Sequence, residues 1–270
     1  MKKLIRGLHQ FQTSYFSTHH ALFEELSRGQ HPRVLFITCS DSRVDPNLIT
    51  QAQVGELFVI RNAGNLIPPF GATNGGEGAA VEYAIQALDI EQIIVCGHSN
   101  CGAMKGLLKL SKLEEDMPLV YEWLKQAEAT RRLVKENYST QEGAQLLDLT
   151  VAENVLTQIE NLRTYPVIHS RLHQGKLHLH AWVYNIESGE VLEYDPTRHA
   201  FVPPDGFVEA SLQGCTLSQS PEASVGAQLQ IVPSHGASAS NGESSNGTTQ
   251  NYSWLSPEQR ERIYRGSPSR

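Results

Sequence analysis

At 270 residues the chain can hold one large domain or two small ones, with a substantial buried core. A formal net charge of -7 leaves no basic footprint for nucleic acid, and no run approaches the ~18 apolar residues of a membrane span. Met1-Lys2-Lys3-Leu4-Ile5 mimics the start of a signal peptide, but Arg6, His9 and Gln10 interrupt any apolar segment behind it.

Residues 2–28 read as helical, with Leu4, Leu8, Phe11 and Tyr15 three to four apart and a second face at Leu22, Phe23 and Leu26; Gly29 then ends the helix. So aromatic a stripe on a peripheral helical arm (1–29) points either to another subunit, giving a dimer or an assembly of dimers, or to the chain's own core. Val34 to Thr38 is a short apolar strand, and Asp45-Pro46 supplies the N-cap and first position of a helix. Leu57 to Ile60 is a second strand, and 64–78, rich in Gly, Pro and Asn, suits the wall of a cleft. A helix from Ala79 to Leu88, a strand from Gln92 to Cys96 and a helix from Gly102 to Leu110 come next. This alternation predicts an α/β fold: an open sheet with a parallel core, right-handed crossovers and flanking helices.

Met117 to Arg163 reads as helical, including Val120, Trp123 and Leu124, then Val151, Val155, Leu156 and Ile159, and Pro166 opens a short helix to His173. Leu177 to Tyr184 alternates with period two, and Glu187-Ser188-Gly189-Glu190 turns it into Val191 to Tyr194, which predicts antiparallel edge strands. His178 and His180 share one face of that strand and are expected to be exposed, lacking the third partner a metal needs. Composition changes beyond Pro204. From Gln213 to Ser253 the only charged residues are Glu222 and Glu243. Such a stretch cannot bury enough apolar surface to fold, so a 1–204 domain is followed by a disordered C-terminal tail, with 205–253 as its flexible linker. The last residues, 254–270, differ. Trp254 and Leu255 precede Ser256-Pro257-Glu258-Gln259, a capped helix start, with Ile263, Tyr264 and Gly266 behind it. Arg260, Arg262, Arg265 and Arg270 outnumber Glu258 and Glu261 there, and aromatic and Arg side chains are the usual interface anchors. The segment reads as a docking peptide that folds on its partner.

The chemistry gathers at two strand ends. Val34-Leu35-Phe36-Ile37 runs into Cys39-Ser40-Asp41-Ser42-Arg43, and Ile93-Ile94-Val95 into Cys96-Gly97-His98-Ser99-Asn100-Cys101-Gly102. Both places lie on the carboxyl edge, where open α/β sheets seat their ligands. Cys39, His98 and Cys101 supply two thiolates and an imidazole, a zinc set with room for a fourth ligand. H-x-x-C alone is common by chance, and the bland alternative is a buried cysteine beside a core histidine. Cys39 on a separate strand end, with Asp41 and Arg43 directly behind it, favours the metal. Cys96, two residues before His98, is expected on the other face of the sheet, and Cys215 lies in the tail. The fourth position is therefore open or filled by Asp41. Cysteines used this way fit a reducing compartment better than a disulfide framework.

C-x-D-x-R at Cys39 to Arg43 and H-x-x-C at His98 to Cys101 resemble the β-class carbonic anhydrases. So do Gly55-Glu56-Leu57-Phe58-Val59-Ile60-Arg61-Asn62-Ala63-Gly64-Asn65 and Gly78-Ala79-Ala80-Val81-Glu82-Tyr83, and the likeness runs from about Leu4 to Tyr194. With its tail the chain is similar to the carboxysomal members. The resemblance implies one Zn2+ per chain and reversible hydration of carbon dioxide to bicarbonate and a proton by attack of zinc-bound hydroxide. Gln30, Phe58, Ala63, Tyr83 and Gly102 fall where the plant-like subtype lines its substrate pocket, with Gln30 donating to a substrate oxygen. Phe58 and Tyr83 have the alternative of being ordinary core aromatics. Also implied are a homo-oligomer, a carboxysome scaffold protein as partner of 254–270, and a place in the carboxysome supplying carbon dioxide for carbon fixation.

Two thiolates leave more negative charge on a metal than imidazoles, so its water should be less acidic than in the three-histidine carbonic anhydrase sites best known for this effect. Asp41 can accept the hydrogen bond of the hydroxide, and Arg43 beside it keeps the carboxylate ionised. Released from Arg43, Asp41 can instead close the site as a fourth ligand. The same logic permits hydrolysis of carbon disulfide or carbonyl sulfide. A non-catalytic zinc-stabilised scaffold module is a further alternative, which an intact Asp41–Arg43 pair speaks against. No histidine is placed as a proton shuttle.

Overall fold

The computed structural model describes residues 1–72, 75–204 and 230–231. In chain order come α1 (Lys2–Gln10), a π-helical turn (Phe11–Phe16), α2 (His20–Leu26), β1 (Val34–Cys39), α3 (Pro46–Thr50), β2 (Leu57–Asn62), α4 (Gly76–Gln86), β3 (Gln92–His98) and α5 (Gly102–Leu108). After them stand α6 (Leu113–Asp116), α7 (Pro118–Leu124), α8 (Glu128–Asn137), α9 (Gly143–Arg163), α10 (Pro166–His173), β4 (His178–Tyr184), β5 (Val191–Asp195), β6 (Ala200–Val202) and the two-residue β7 (Gln230–Ile231).

One sheet, in the order β2-β1-β3-β4-β5-β6-β7, organises the chain. β2, β1, β3 and β4 run parallel, and β5 and β6 add antiparallel strands, as the alternation and the Glu187–Glu190 turn predict. Register aligns Ile37 with Ile60 and Val95, and His98 with Tyr184. Leu35, Ile37, Ile93, Val95, Leu179 and Ala181 form one buried face, met by Val81, Ala84 and Ile85 of α4 and by Val155, Ile159 and Leu162 of α9. The opposite face buries Phe36, Ile94 and Cys96 against Trp182 and Tyr184. Strands this apolar on both faces belong in the middle of a parallel sheet.

Several boundaries differ from those the sequence predicts. The arm is not one helix to residue 28. Hydroxyls of Thr13, Ser17 and Thr18 bond back to the carbonyls of His9, Thr13 and Ser14, a local competition that bends helices, and the π turn sits there. No residue of α1 or α2 is buried, so the arm does not enter the chain's own core. Its rings pack on each other instead, Phe16 on Phe23 at 5.0 Å and Phe11 on Phe23 at 5.8 Å. The helical stretch from 117 to 163 breaks at Tyr138–Glu142, where Ser139 and Thr140 are turn formers and Gly143 takes φ +60°. α4 begins at Gly76, three residues ahead of the expected Ala79. His180 is half-buried rather than exposed, because β3 and β5 bring partners to it: Glu193 Oε1 lies 2.6 Å from Nδ1 and Gln92 Oε1 2.9 Å from Nε2. The expected linker (205–253) and docking peptide (254–270) lie outside the described residues. The exception is Gln230–Ile231, which pairs in parallel with β6 instead of running free.

Candidate metal centre

β1 and β3 are adjacent and end together, and this brings the two cysteine–histidine segments to one edge. Cys39 is the last residue of β1 and His98 the last of β3, while Cys101 is the N-cap of α5 after a tight turn with Asn100 at φ +57°. The turn is pinned on both sides: Ser99 N–H donates to Tyr184 O at 2.9 Å, and Ile186 N–H donates to Ser99 Oγ at 3.0 Å. The ligand atoms of Cys39, His98 and Cys101 all lie within 4.8 Å of one another, and all three residues are buried.

The His98 ring has Nδ1 3.0 Å from Ser99 O, a contact that requires N–H on Nδ1 and leaves a lone pair on Nε2. Among the described residues that buried Nε2 has no hydrogen-bond partner. A buried imidazole nitrogen without a partner beside two thiols is the donor set a zinc ion satisfies. The Cys101 thiol hydrogen-bonds Cys39 and holds its pKa down to about 4 against burial, with the Gly64 N–H helping. The same contact and burial push Cys101 up. Of the two thiols Cys39 is thus the readier to ionise, and the second proton is the harder to remove.

Asp41 stands beside this cluster, Oδ2 3.9 Å from His98 Nε2. Arg43 grips it through Nε to Oδ1 at 2.9 Å, Nη2 to Oδ2 at 2.8 Å and its own N–H to Oδ1 at 3.0 Å. That fork holds the carboxyl far below the usual range. The turn itself hangs on Arg61, whose Nε donates to Cys39 O at 3.1 Å and Nη2 to Asp41 O at 2.8 Å.

Cys96 is fully buried among Phe36 and Ile94, where burial pushes its thiol up to about 12. It stays out of the site, but not by alternation: residues two apart share a face of a strand. What separates them is that β3 ends at His98, whose ring turns over the sheet edge to Cys39 and Cys101. Among the predicted pocket residues, Ala63 and Gly102 lie with the cluster. Ala63 precedes Gly64, whose N–H points to Cys39 Sγ at 3.4 Å, and Gly102 opens α5 with free space where a Cβ would stand. The rest are elsewhere. Phe58 pairs with Leu35, four residues back along β1, hence about 13 Å from Cys39. Tyr83 lies against Phe58 with ring centroids 6.1 Å apart and is 48% exposed, too open for a core aromatic. Gln30 precedes β1 and is exposed. One copy therefore divides these residues between the two ends of its strands. The hydrogen bonds from Arg61 to Cys39 O and Asp41 O, and from Gly64 N–H to Cys39 Sγ, could not be placed from the sequence, which offers both residues only as part of a family pattern.

The family model described as carbonic anhydrase matches residues 34–191. The solved β-carbonic anhydrase CcaA superposes with a TM-score of 0.75 at 69% identity, over 76% of this chain and 99% of that one. The chain belongs to the β-carbonic anhydrases. Carbonic anhydrases of Synechocystis sp. (68% identical over 78% of this chain and 77% of that one) and Synechococcus elongatus (58% identical over the full length of both) are similar to it. A tetrameric β-carbonic anhydrase structure from Sordaria macrospora is 26% identical with a TM-score of 0.64, over 72% of this chain and 97% of that one. The enzyme is thus a carbonic anhydrase whose cysteine–histidine cluster suits the zinc on which that family depends.

Proposed function

We propose that Cys39, His98 and Cys101 hold one zinc ion per chain, that carbon dioxide is reversibly hydrated there, and that the enzyme works in the carboxysome to supply carbon dioxide for fixation. The observation carrying the site is the close set of three buried donors around an unbonded His98 Nε2. When bound, zinc acidifies a water, so that a nucleophile for carbon dioxide exists at neutral pH. Asp41, 3.9 Å from His98 Nε2, would be the acceptor that takes a hydrogen bond from that nucleophile and orients it. Arg43 keeps Asp41 ionised and engaged, which favours the open site over one closed by the carboxylate.

Ala63 and Gly102 wall the pocket from one copy, and Gln30, Phe58 and Tyr83 reach it from a second. Two features support this: the separation of the two sets along β1, and an arm that leaves Leu4 and Leu8 66% exposed. Beyond the domain, 254–270 docks on a carboxysome scaffold protein through the linker. In favour is the cyanobacterial relative that aligns over the whole chain, tail included.

Stopped-flow hydration of carbon dioxide, before and after zinc is chelated, tests the reaction. Cys39→Ala and Cys101→Ser should lose zinc and turnover together; full zinc in either variant removes that residue from the ligand set. A chain ending at Pro204 should keep its turnover but lose its partner in a pull-down and its compartment in cells. If it still enters the carboxysome, the tail is not the address.

A further inference from the structure

α9 packs across β3 and β4 as an apolar helix, yet three amides interrupt its buried face: Asn154, Gln158 and Asn161. Asn154 and Gln158 are each 1% exposed. Amides this deep need partners, and theirs lie about ninety residues earlier, in the loop that leaves β2. Asn154 Nδ2 donates to Gly64 O at 2.9 Å, and Gln158 Nε2 donates to Asn154 Oδ1 at 3.0 Å. Gln158 Oε1 accepts from Ile67 N–H at 2.8 Å, and Asn161 Nδ2 donates to Ile67 O at 2.9 Å. Trp123 Nε1 donates to Ala63 O at 2.8 Å, just ahead of Gly64. At Gly64 the backbone has φ +86°, and an added Cβ would lie 2.9 Å from Met104 Cε. Position 64 is therefore a glycine whose carbonyl is tied to α9 and whose N–H meets Cys39 Sγ.

We propose that Asn154 is a positioning residue for the metal centre: by holding the Gly64 carbonyl, with Gln158 orienting its amide, it keeps the Gly64 N–H on the Cys39 sulfur. Bonds that run from Ile67 through Gln158 and Asn154 to Gly64 polarise one another in one direction. An N–H donated to a ligand sulfur draws charge from it and fixes its lone pairs, as outer partners of metal ligands do. Trp123 holds Ala63 O, in the peptide that carries the Gly64 N–H, while Asn154 holds the next one, so the planes on both sides of the Gly64 Cα are restrained.

The inference rests on Cys39 being a metal ligand, and cobalt loading separates the two claims. Cobalt(II) is placed in the parent, in Asn154→Leu and in Asn161→Leu. The last variant frees Ile67 O and takes one of two N–H groups from Gln158 Oε1, which keeps that of Ile67, and it leaves Gly64 held by Asn154. The thiolate-to-cobalt absorption band and the rate of zinc loss to a chelator are read for each. Asn154→Leu should shift the band and speed zinc loss about tenfold or more, while Asn161→Leu leaves both near the parent. Should Asn154→Leu fail to fold, Gln158→Met leaves Asn154 in place while removing both the donor that orients its amide and the acceptor of Ile67 N–H, and should move both readouts in the same direction by less. An unshifted band with parental zinc loss overturns the proposal, and so does an equal change in Asn161→Leu, which marks a general loosening of the loop. A parent without any thiolate-to-cobalt band breaks the ligand assignment itself.

Discussion

Gly97 is where packing and chemistry touch, since it sits one residue before His98 and directly beneath α9. A Cβ added there would lie 2.7 Å from Val155 Cγ2 and 2.9 Å from Val151 Cγ1. Carbon atoms prefer about 3.5 Å or more, so Val155 must retreat by about 0.8 Å. Both valines are fully buried and stiff at χ1, which leaves movement of α9 against β3 as the only relief. Overpacking of this kind costs about 1–3 kcal/mol. The backbone at Gly97 is not left-handed, so Gly97→Ala also gains about 0.4–1 kcal/mol from a less free unfolded chain. Strain should win, leaving a net loss of about 1–2 kcal/mol by urea unfolding at one fixed protein concentration, since an oligomer's midpoint depends on it. Val155→Ala removes the clashing methyl. The double variant should therefore be more stable than the sum of the single losses predicts, by about 1 kcal/mol, a coupling expected of residues in contact. Gly97→Ala as stable as the parent, or strictly additive losses, would refute the reasoning. Zinc retention in Gly97→Ala should fall as well, because the helix being displaced carries Asn154.

Asp41→Asn should keep zinc, measured by metal analysis, and lose at least about 100-fold in turnover as the anionic acceptor disappears; near-parental turnover removes the role. Arg43 holds Asp41 well below the carboxylate range, so activity at pH 5 to 9 should carry no titration from it. Arg43→Met should bring that titration up into the acid limb of the pH–rate profile, and an unchanged limb would count against the pairing argument. Tyr138 donates to Glu153 Oε1 at 2.6 Å, with both side chains buried, and burial raises the Glu153 pKa while this bond lowers it. A carboxyl raised on folding contributes stability that is full below its unfolded pKa and is lost as pH climbs through the folded one. Tyr138→Phe lifts the folded value further. Its cost, about 1–3 kcal/mol at pH 8, should shrink at pH 5, and equal losses at both would show that Glu153 is not the cause.

The central strands and the meeting of Cys39, His98 and Cys101 at one sheet edge were legible because each signal is local. Apolar runs such as Ile93-Ile94-Val95 mark buried strands, and a parallel sheet delivers the residues after each run to one edge. The Asp45-Pro46 cap was local too, and Leu48 N–H does meet Asp45 Oδ1 at 3.2 Å. The features hidden in the sequence depend on distance along the fold. Gln30, Phe58 and Tyr83 share a family pattern with Cys39 but sit toward the other end of the strands. The break at Tyr138–Glu142 interrupts a stretch whose residues on either side are good helix formers. His180 finds Glu193 and Gln92 only once three strands lie side by side.

α9 shows why burial and site geometry cannot be assigned to separate parts of this chain. An apolar helix would pack on β3 and β4 without amides, and burying them sacrifices hydration that only well-placed partners offset. The partners are backbone groups of Gly64 and Ile67, which a loop following β2 would otherwise leave unpaired inside the protein. The exchange is mutual: the loop satisfies the helix, and the helix denies the loop its alternatives. Tyr165 and Thr164 extend the hold to Pro68 O and Phe70 N–H, so the clamp continues past the end of the same helix. The helix that buries the sheet thus also holds the carbonyl of the glycine whose N–H meets Cys39, and a fault in one should appear in the other.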